Sequence, residues 1–272
     1  MKVVIYGCKG SIPLFTPGAK YGGNTSCMTV ESGGQLLVID AGSGLVFMQN
    51  EFRKKNSGSL GDLPPFHILL SHLHFDHICG LSVFEHTYRD AGMKIYTKKR
   101  SDLEIKEAIF GAFSPPYWPV DVGQCAKATC VEIKPDIPFI IGPFTITPFV
   151  AVHSDDTLSF RITDGKKTMV HLLDSETVDM SPKEQAILLK YCTDADLVVF
   201  DACYSTNDYT KHRGWGHSTV EEGVKRAKEW NCKKMIFSHF SQKYSDEELD
   251  SWTEFFEDER FILAHDGLEL VI

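Results

Sequence analysis

No stretch of this 272-residue chain approaches the ~20 apolar residues of a membrane-spanning helix. The opening, Met1-Lys2-Val3-Val4-Ile5-Tyr6-Gly7, has too short an apolar run for a signal peptide and reads as a strand, so the expected location is the cytoplasm and no membrane partner is expected. Positive charge is also short: 28 Lys and Arg face 37 Asp and Glu, a formal charge of −9, which removes any bulk attraction to long nucleic acids or anionic membranes. Eight cysteines include no Cys-x-x-Cys pair, so free buried thiols are expected rather than a zinc ribbon or a disulfide framework. Low-complexity linkers and short repeats are missing, which makes residues 1–272 one domain. The glycines do not take either standard phosphate-cradling spacing, and no nucleotide cofactor is implied. What is present is an ordinary globular composition, 43% hydrophobic and 24% charged, enough to bury roughly three quarters of the unfolded surface.

Period-2 and short β-rich apolar runs predict strands at 2–7, 26–31, 35–39, 66–70 and 93–97, then a helix near 100–111. Strands resume at 129–133, 137–141, 143–150, 158–163 and 167–173. Beyond them the pattern predicts helices at 182–191 and 218–230, strands at 197–200, 233–237 and 268–272, and an acidic helix from the Ser245/Glu248 capping box to about residue 257. The acidic side chains at its start suit the helix dipole without any further partner. Two strand-rich halves, each followed by helices, point to an α+β fold in which two sheets pack face to face with helices outside, a four-layer αββα sandwich.

The most informative stretch is Leu69-Leu70-Ser71-His72-Leu73-His74-Phe75-Asp76-His77, where a hydrophobic strand runs into three imidazoles and a carboxylate. Alternation aims His72 and His74 to one side, while Asp76 and His77 turn to another, an arrangement suited to two metals side by side. Imidazole and carboxylate donors favour Zn²⁺, with Mn²⁺ or Fe²⁺ as the alternatives. Three more ligand types follow apolar strands: His153, Asp174 and His239. His67, His86, His171, His212 and His265 bring no second ligand set and read as structural or exposed groups.

The His-x-His-x-Asp-His run resembles the signature of the metallo-β-lactamase superfamily, whose fold is the same αββα sandwich. Gly7-Cys8-Lys9-Gly10-Ser11-Ile12-Pro13, Asn24-Thr25-Ser26 and Asp40-Ala41-Gly42-Ser43-Gly44 resemble the opening of the branch holding ribonuclease Z and cyclic phosphodiesterases. Phe200-Asp201-Ala202-Cys203, Gly216-His217-Ser218-Thr219 and the segment from Ser238-His239 onward resemble that branch's later motifs. The resemblance implies two Zn²⁺, one on His72, His74 and His153, the other on Asp76, His77 and His239, with Asp174 bridging and Asp40 orienting a ligand imidazole. It further implies a phosphodiesterase working through a metal-bridging hydroxide, with Asp76, His217 and Asp201 as catalytic residues. His217 would donate a proton to the leaving oxygen under the control of Asp201. A homodimer is implied in the same way.

The sequence departs from ribonuclease Z in three ways. Position 201 is Asp rather than Glu, which shortens the reach to His217 by one methylene; Asp174 stands in Leu-Asp-Ser rather than Gly-Asp-Thr, without the expected turn glycine; and only 21 positions separate His153 from Asp174, where ribonuclease Z commonly carries a tRNA-binding arm. The missing arm and the acidic charge favour a small cyclic or nucleotide phosphodiester over long nucleic acid. A thioester or lactone hydrolase of the same fold, a tRNA 3′-processing endonuclease and a noncatalytic metal-binding protein are the competing readings. The aromatic loop at 113–119 offers Tyr117 and Trp118 either as a stacking surface in a substrate pocket or as a structural lid or dimer contact.

Overall fold

In the computed structural model, which describes residues 1–55, 65–90, 92–155 and 157–272, the two expected sheets are present with seven strands each. The first is built from β1 (Lys2–Gly7), β2 (Cys27–Ser32), β3 (Gln35–Ile39), β4 (Phe66–Leu69), β5 (Met93–Thr97) and β6 (Thr129–Glu132). Strands β1 to β3 pair antiparallel and β3 to β6 pair parallel. The second holds β7 (Phe139–Ile141), β8 (Phe144–Val150), β9 (Leu158–Thr163), β10 (Thr168–Leu172), β11 (Leu197–Asp201), β12 (Met235–Ser238) and β13 (Phe261–Leu263). It repeats the scheme, antiparallel through β10 and parallel from β10 to β13. The last strand, β14 (Glu269–Val271), returns to the first sheet and pairs antiparallel with β1.

Alternation along β1 shows why both faces are covered. Val3 and Ile5 join a buried cluster with Val30, Leu37, Leu69, Ile146, Phe160 and Ile162, the space between the sheets. Val4 and Tyr6 point the other way, into a cluster with Leu45, Met48, Ile68, Phe84 and Phe110. That outer cluster is closed by α1 (Gly44–Lys55), whose Leu45, Met48 and Gln49 are buried. The remaining helices are α2 (Phe75–Ile78), α3 (Ile105–Phe110), α4 (Val122–Cys125), α5 (Pro182–Cys192), α6 (Thr206–His212), α7 (Val220–Glu229) and α8 (Asp246–Ser251). Helix α5 lies against β8, and α7 against β11 and β12. The αββα layering read from the sequence is therefore the observed one.

Several boundaries differ from expectation for physical reasons. Helix α1 was not expected: its buried face follows the 3.6-residue period, but it opens on Gly42-Ser43-Gly44, which reads as a turn. The helix expected near 100–111 is reduced to α3, because Arg100 and Asp102 bond to each other in the irregular segment before it. Helix α8 ends at Ser251 and passes into a 3-10 turn, Trp252–Phe255. Two of its acidic residues also have partners that the dipole argument did not supply. Asp250 accepts from Lys20 Nζ and the Tyr21 hydroxyl, both at 2.5 Å, and Asp246 accepts from the Lys20 backbone N–H at 2.6 Å. The cysteines are all free thiols. No helix is long and apolar enough to cross a membrane among the described residues.

Asp196 ties the start of β10 to the loop before β11: it accepts from the Thr168 N–H at 3.0 Å and from Lys167 and Lys233 Nζ at 3.0 and 2.7 Å. Burial pushes its carboxyl up, yet these bonds hold it down at about 2. A carboxyl depressed in the folded state adds stability above its unfolded value and loses it as pH falls towards 2. Asp196→Asn is expected to cost about 1 kcal/mol in the metal-free protein at neutral pH, with the penalty shrinking below about pH 4. Urea unfolding of both proteins across that range measures it; a penalty independent of pH would contradict the assignment.

Candidate metal centre

The ligand types collect at one edge of the sandwich because each follows the C-terminal end of a strand. Asp40 follows β3, the 71–77 loop follows β4, His153 follows β8, Asp174 follows β10, Asp201 ends β11 and His239 follows β12. Three of these turn sharply: Asp40, Asp174 and His239 have φ of 58°, 51° and 67°, a left-handed conformation that non-glycine residues rarely adopt. Such strain persists only where surrounding bonds over-determine it, and at Asp174 they are visible. Its N–H donates to Asp201 Oδ2 at 2.9 Å, supplying the anchoring that Leu-Asp-Ser lacks in turn glycine.

Two ligand groups form, with Asp174 between them. The donor nitrogens of His72, His74 and His153 lie within 4.8 Å of one another, as do the donor atoms of Asp76, His77 and His239. Asp174 Oδ1 stands 3.7 Å from His153 Nε2, 4.0 Å from His72 Nε2 and 3.4 Å from His239 Nε2, while Oδ2 stands 3.1 Å from His77 Nε2. One carboxylate thus faces both groups, the placement a bridging ligand needs. His72 Nε2 is buried without a hydrogen-bond partner among the described residues, and His77 Nε2 faces only the carboxylates of Asp174 and Asp76, at 3.1 and 3.4 Å. Buried polar atoms are almost always satisfied, so this convergent set of imidazoles and carboxylates fits divalent cations.

Backbone and carboxylate acceptors select the nitrogen each ring offers. His77 Nδ1 donates to Asp40 Oδ2 at 2.8 Å, leaving Nε2 for the centre; Asp40 also accepts from the Ser71 N–H and hydroxyl at 2.8 and 2.9 Å. His153 Nδ1 donates to the Gly216 carbonyl at 3.0 Å. Gly216 has φ +85°, and a Cβ there would fall 2.1 Å from His153 Nδ1, so the contact requires glycine. Gly10 is similar: a Cβ would meet the His239 ring at 2.5 Å. Asp76 accepts the Ser11 N–H at 2.7 Å.

His217 and Asp201 complete the arrangement. Asp201 Oδ2 accepts from His217 Nδ1 at 2.9 Å, so the side chain reaches although it is one methylene shorter than Glu. Its Oδ1 accepts from the N–H groups of Cys203 and Ser218 at 3.1 and 3.0 Å. The His217 ring stacks on His239 with centroids 5.1 Å apart and lies 5.2 Å from His153, against both ligand groups.

Electrostatics follow from this packing. Burial would lower His77 and His239, but Asp174 beside both, joined by Asp76, raises them well above the usual imidazole range. Burial would raise Asp76 and Asp174, yet these two imidazoles hold both carboxyls well below theirs. Burial depresses His72 and His153. The metal-free centre therefore stores protons on the Asp76 side, which a cation must displace.

The aromatic loop splits its two candidates. Trp118 packs edge-on against the buried Phe113, 5.8 Å between centroids, as part of the outer core, whereas Tyr117 is 85% exposed. Phe113 also touches Phe75, which sits among the ligands of the 71–77 loop. One residue was missed by sequence reasoning. Glu176 is buried and accepts from the Gly214 and Gly216 N–H groups, both at 2.9 Å, and from the Tyr209 hydroxyl at 2.5 Å, clamping the loop that carries His217 and the His153 acceptor. His171, expected as a structural or exposed group, is buried with Nε2 3.5 Å from Asp40 Oδ2. No local pattern marks Glu176, since its partners lie 33 to 40 positions away.

Residues 36–240 match a family described as the beta-lactamase superfamily domain. The chain belongs to the β-lactamase superfamily. Within this superfamily it is 28% identical over 251 residues to a probable metallo-hydrolase, YhfI, of Bacillus subtilis (strain 168), covering 88% of this chain and 86% of the relative. It is 25% identical over 276 residues to a ribonuclease Z of Azobacteroides pseudotrichonymphae genomovar. CFP2, covering 90% of each. The crystal structure of B. subtilis YhfI, a metallo-β-lactamase fold protein, superposes with a TM-score of 0.71 at 23% identity over 99% of both chains. A diphosphatase of the PhnP family superposes with 0.70 at 16% identity over 100% of this chain and 97% of that one. These likenesses establish a metallo-β-lactamase superfamily hydrolase whose His and Asp clusters suit divalent metal.

Two measurements test this geometry. Zinc titrated into metal-free protein near neutral pH is expected to release protons and to bind more weakly as pH falls; calorimetry in buffers of different ionisation enthalpy counts them, and a count of zero would contradict the protonated His77 and His239. Glu176→Ala leaves three donors unpaired and is expected to cost about 1–3 kcal/mol and to weaken the metal group containing His153, read by urea unfolding and metal analysis. Unchanged stability and full metal content would remove Glu176 from the supporting set.

Proposed function

We propose that the chain is a dinuclear metal-dependent phosphodiesterase acting on a small phosphodiester, cyclic or nucleotide, with Zn²⁺ as the favoured metal. The observation that carries this reading is the Asp201–His217 pair set against both ligand groups. With Nδ1 donating to Asp201, Nε2 is the ring nitrogen left to pass a proton to a leaving oxygen. His72, His74 and His153 would hold one cation, Asp76, His77 and His239 the other, with Asp174 shared. Bound divalent metal would supply Lewis acidity towards a phosphoryl oxygen and lower the pKa of an attacking water.

Substrate size is argued from what surrounds the centre. Between His153 and Asp174, β9, β10 and the short turn joining them take up residues 158–172. The net charge of −9 offers long polyanions no general attraction, whereas two divalent cations concentrate positive charge at one mouth. Tyr117, exposed beside the loop that touches Phe75, is the residue we assign to contact with a base or other planar group. The ribonuclease Z relative favours a second reading, tRNA 3′ processing.

Metal-loaded protein is to be assayed against bis(p-nitrophenyl) phosphate, 2′,3′- and 3′,5′-cyclic nucleotides, S-lactoylglutathione and a precursor tRNA. Small phosphodiesters are expected to be cleaved, and His217→Ala to keep its metals while losing about 10²–10⁴ in turnover. Thioester cleavage without phosphodiester cleavage would overturn the reading, and cleavage of precursor tRNA alone would favour the second one.

A further inference from the structure

A cavity of about 410 Å³ is lined in part by Lys9, Thr16, Gln242 and Lys243, and none of its lining residues is one of the ligand candidates. The 9–12 segment is fixed from both sides: the Ser11 N–H donates to Asp76, and the Gln242 amide donates to the Ile12 carbonyl at 2.7 Å. Lys9 is only 2% exposed; its N–H donates to the Asn24 carbonyl at 2.9 Å, while its ammonium has neither a hydrogen bond nor an ion pair among the described residues. Its nearest electronic partner is the Phe240 ring, whose centroid is 5.8 Å from Nζ, near the outer limit of a cation–π contact.

The other charges around the cavity are differently placed. Lys243 Nζ bonds Asp208 at 2.7 Å, Asp246 takes the Lys20 N–H at 2.6 Å, and Glu247 is exposed at the rim. Lysines enclosed to this degree are almost always paired, whereas Lys9 lines the cavity without an ion pair among the described residues. We propose that this cavity binds a small phosphate-type oxyanion, with the Lys9 ammonium as its counter-charge and the Thr16 hydroxyl and second Gln242 amide hydrogen as neutral donors. The site is separate from the metal centre and does not depend on the phosphodiesterase reading, because binding is measured without turnover.

The test titrates inorganic phosphate, and separately adenosine monophosphate, into zinc-loaded wild type, Lys9→Met and Gln242→Ala by calorimetry. Wild type is expected to show two phosphate sites, one of which weakens about tenfold or more in Lys9→Met, the loss of a charge-assisted contact, while the site at the metals is kept. Without phosphate, Lys9→Met is expected to melt no lower than wild type, and to gain less Tm from phosphate. Competition of adenosine monophosphate for the Lys9-dependent site identifies a nucleotide phosphate; binding of inorganic phosphate alone identifies the free ion. One phosphate site in the wild type, or two sites unchanged in Lys9→Met, would overturn the proposal. If Lys9→Met does not fold, Gln242→Ala decides: weaker binding at the second site supports the proposal, and unchanged binding overturns it.

Discussion

Asp174 is the constraint on which the rest of the structure depends. A carboxylate this deeply buried is strongly unfavourable unless cations or imidazolium groups face it. Five imidazoles do so, from 3.1 to 4.0 Å away: four come from the ends of β4, β8 and β12, and His217 comes from the loop between α6 and α7. Bringing those ends to one point requires the two sheets to face each other in register. The inter-sheet cluster of Val30, Leu37, Ile39, Ile146, Phe160 and Ile162 supplies the burial that keeps them there. The hydrophobic sandwich thus holds a polar edge that could not form alone, and divalent metal would relieve the charge and proton load collected at that edge.

Around this centre three further carboxylates act as fixed acceptors. Asp40 holds His77 and Ser71, Asp201 holds His217 and the Asp174 backbone, and Glu176 holds the 214–216 loop. Each has several donors, so each fixes geometry as well as charge. The left-handed conformations of Asp40 and Asp174 are kept in place by these bonds, which places the backbone strain where the ligand candidates turn inward.

Much of this was legible one residue type at a time. Strand β4 running into Ser71-His72-Leu73-His74 marks a loop of candidate ligands, and the later candidates each follow an apolar strand. Helix α1 is not legible because its opening glycines read as a turn while its period-3.6 face is short. Trp118 and Tyr117, adjacent and equally aromatic in sequence, separate only in three dimensions, one packed on Phe113 and the other in solvent. Glu176 has no visible signal, since a lone buried polar residue acquires meaning only from its partners.

The sequence by itself determined the αββα layering and the identity of the ligand types, because side-chain period and donor chemistry are local properties written residue by residue. Tertiary structure alone decided which ring nitrogen of His77 points inward, that Asp174 faces both candidate groups, that Asp201 reaches His217, that His239 meets Asp76, and that the Lys9 ammonium has no ion pair among the described residues. Asp76 and His239 stand 163 positions apart, and only the packing of two sheets against one core fixes such distances.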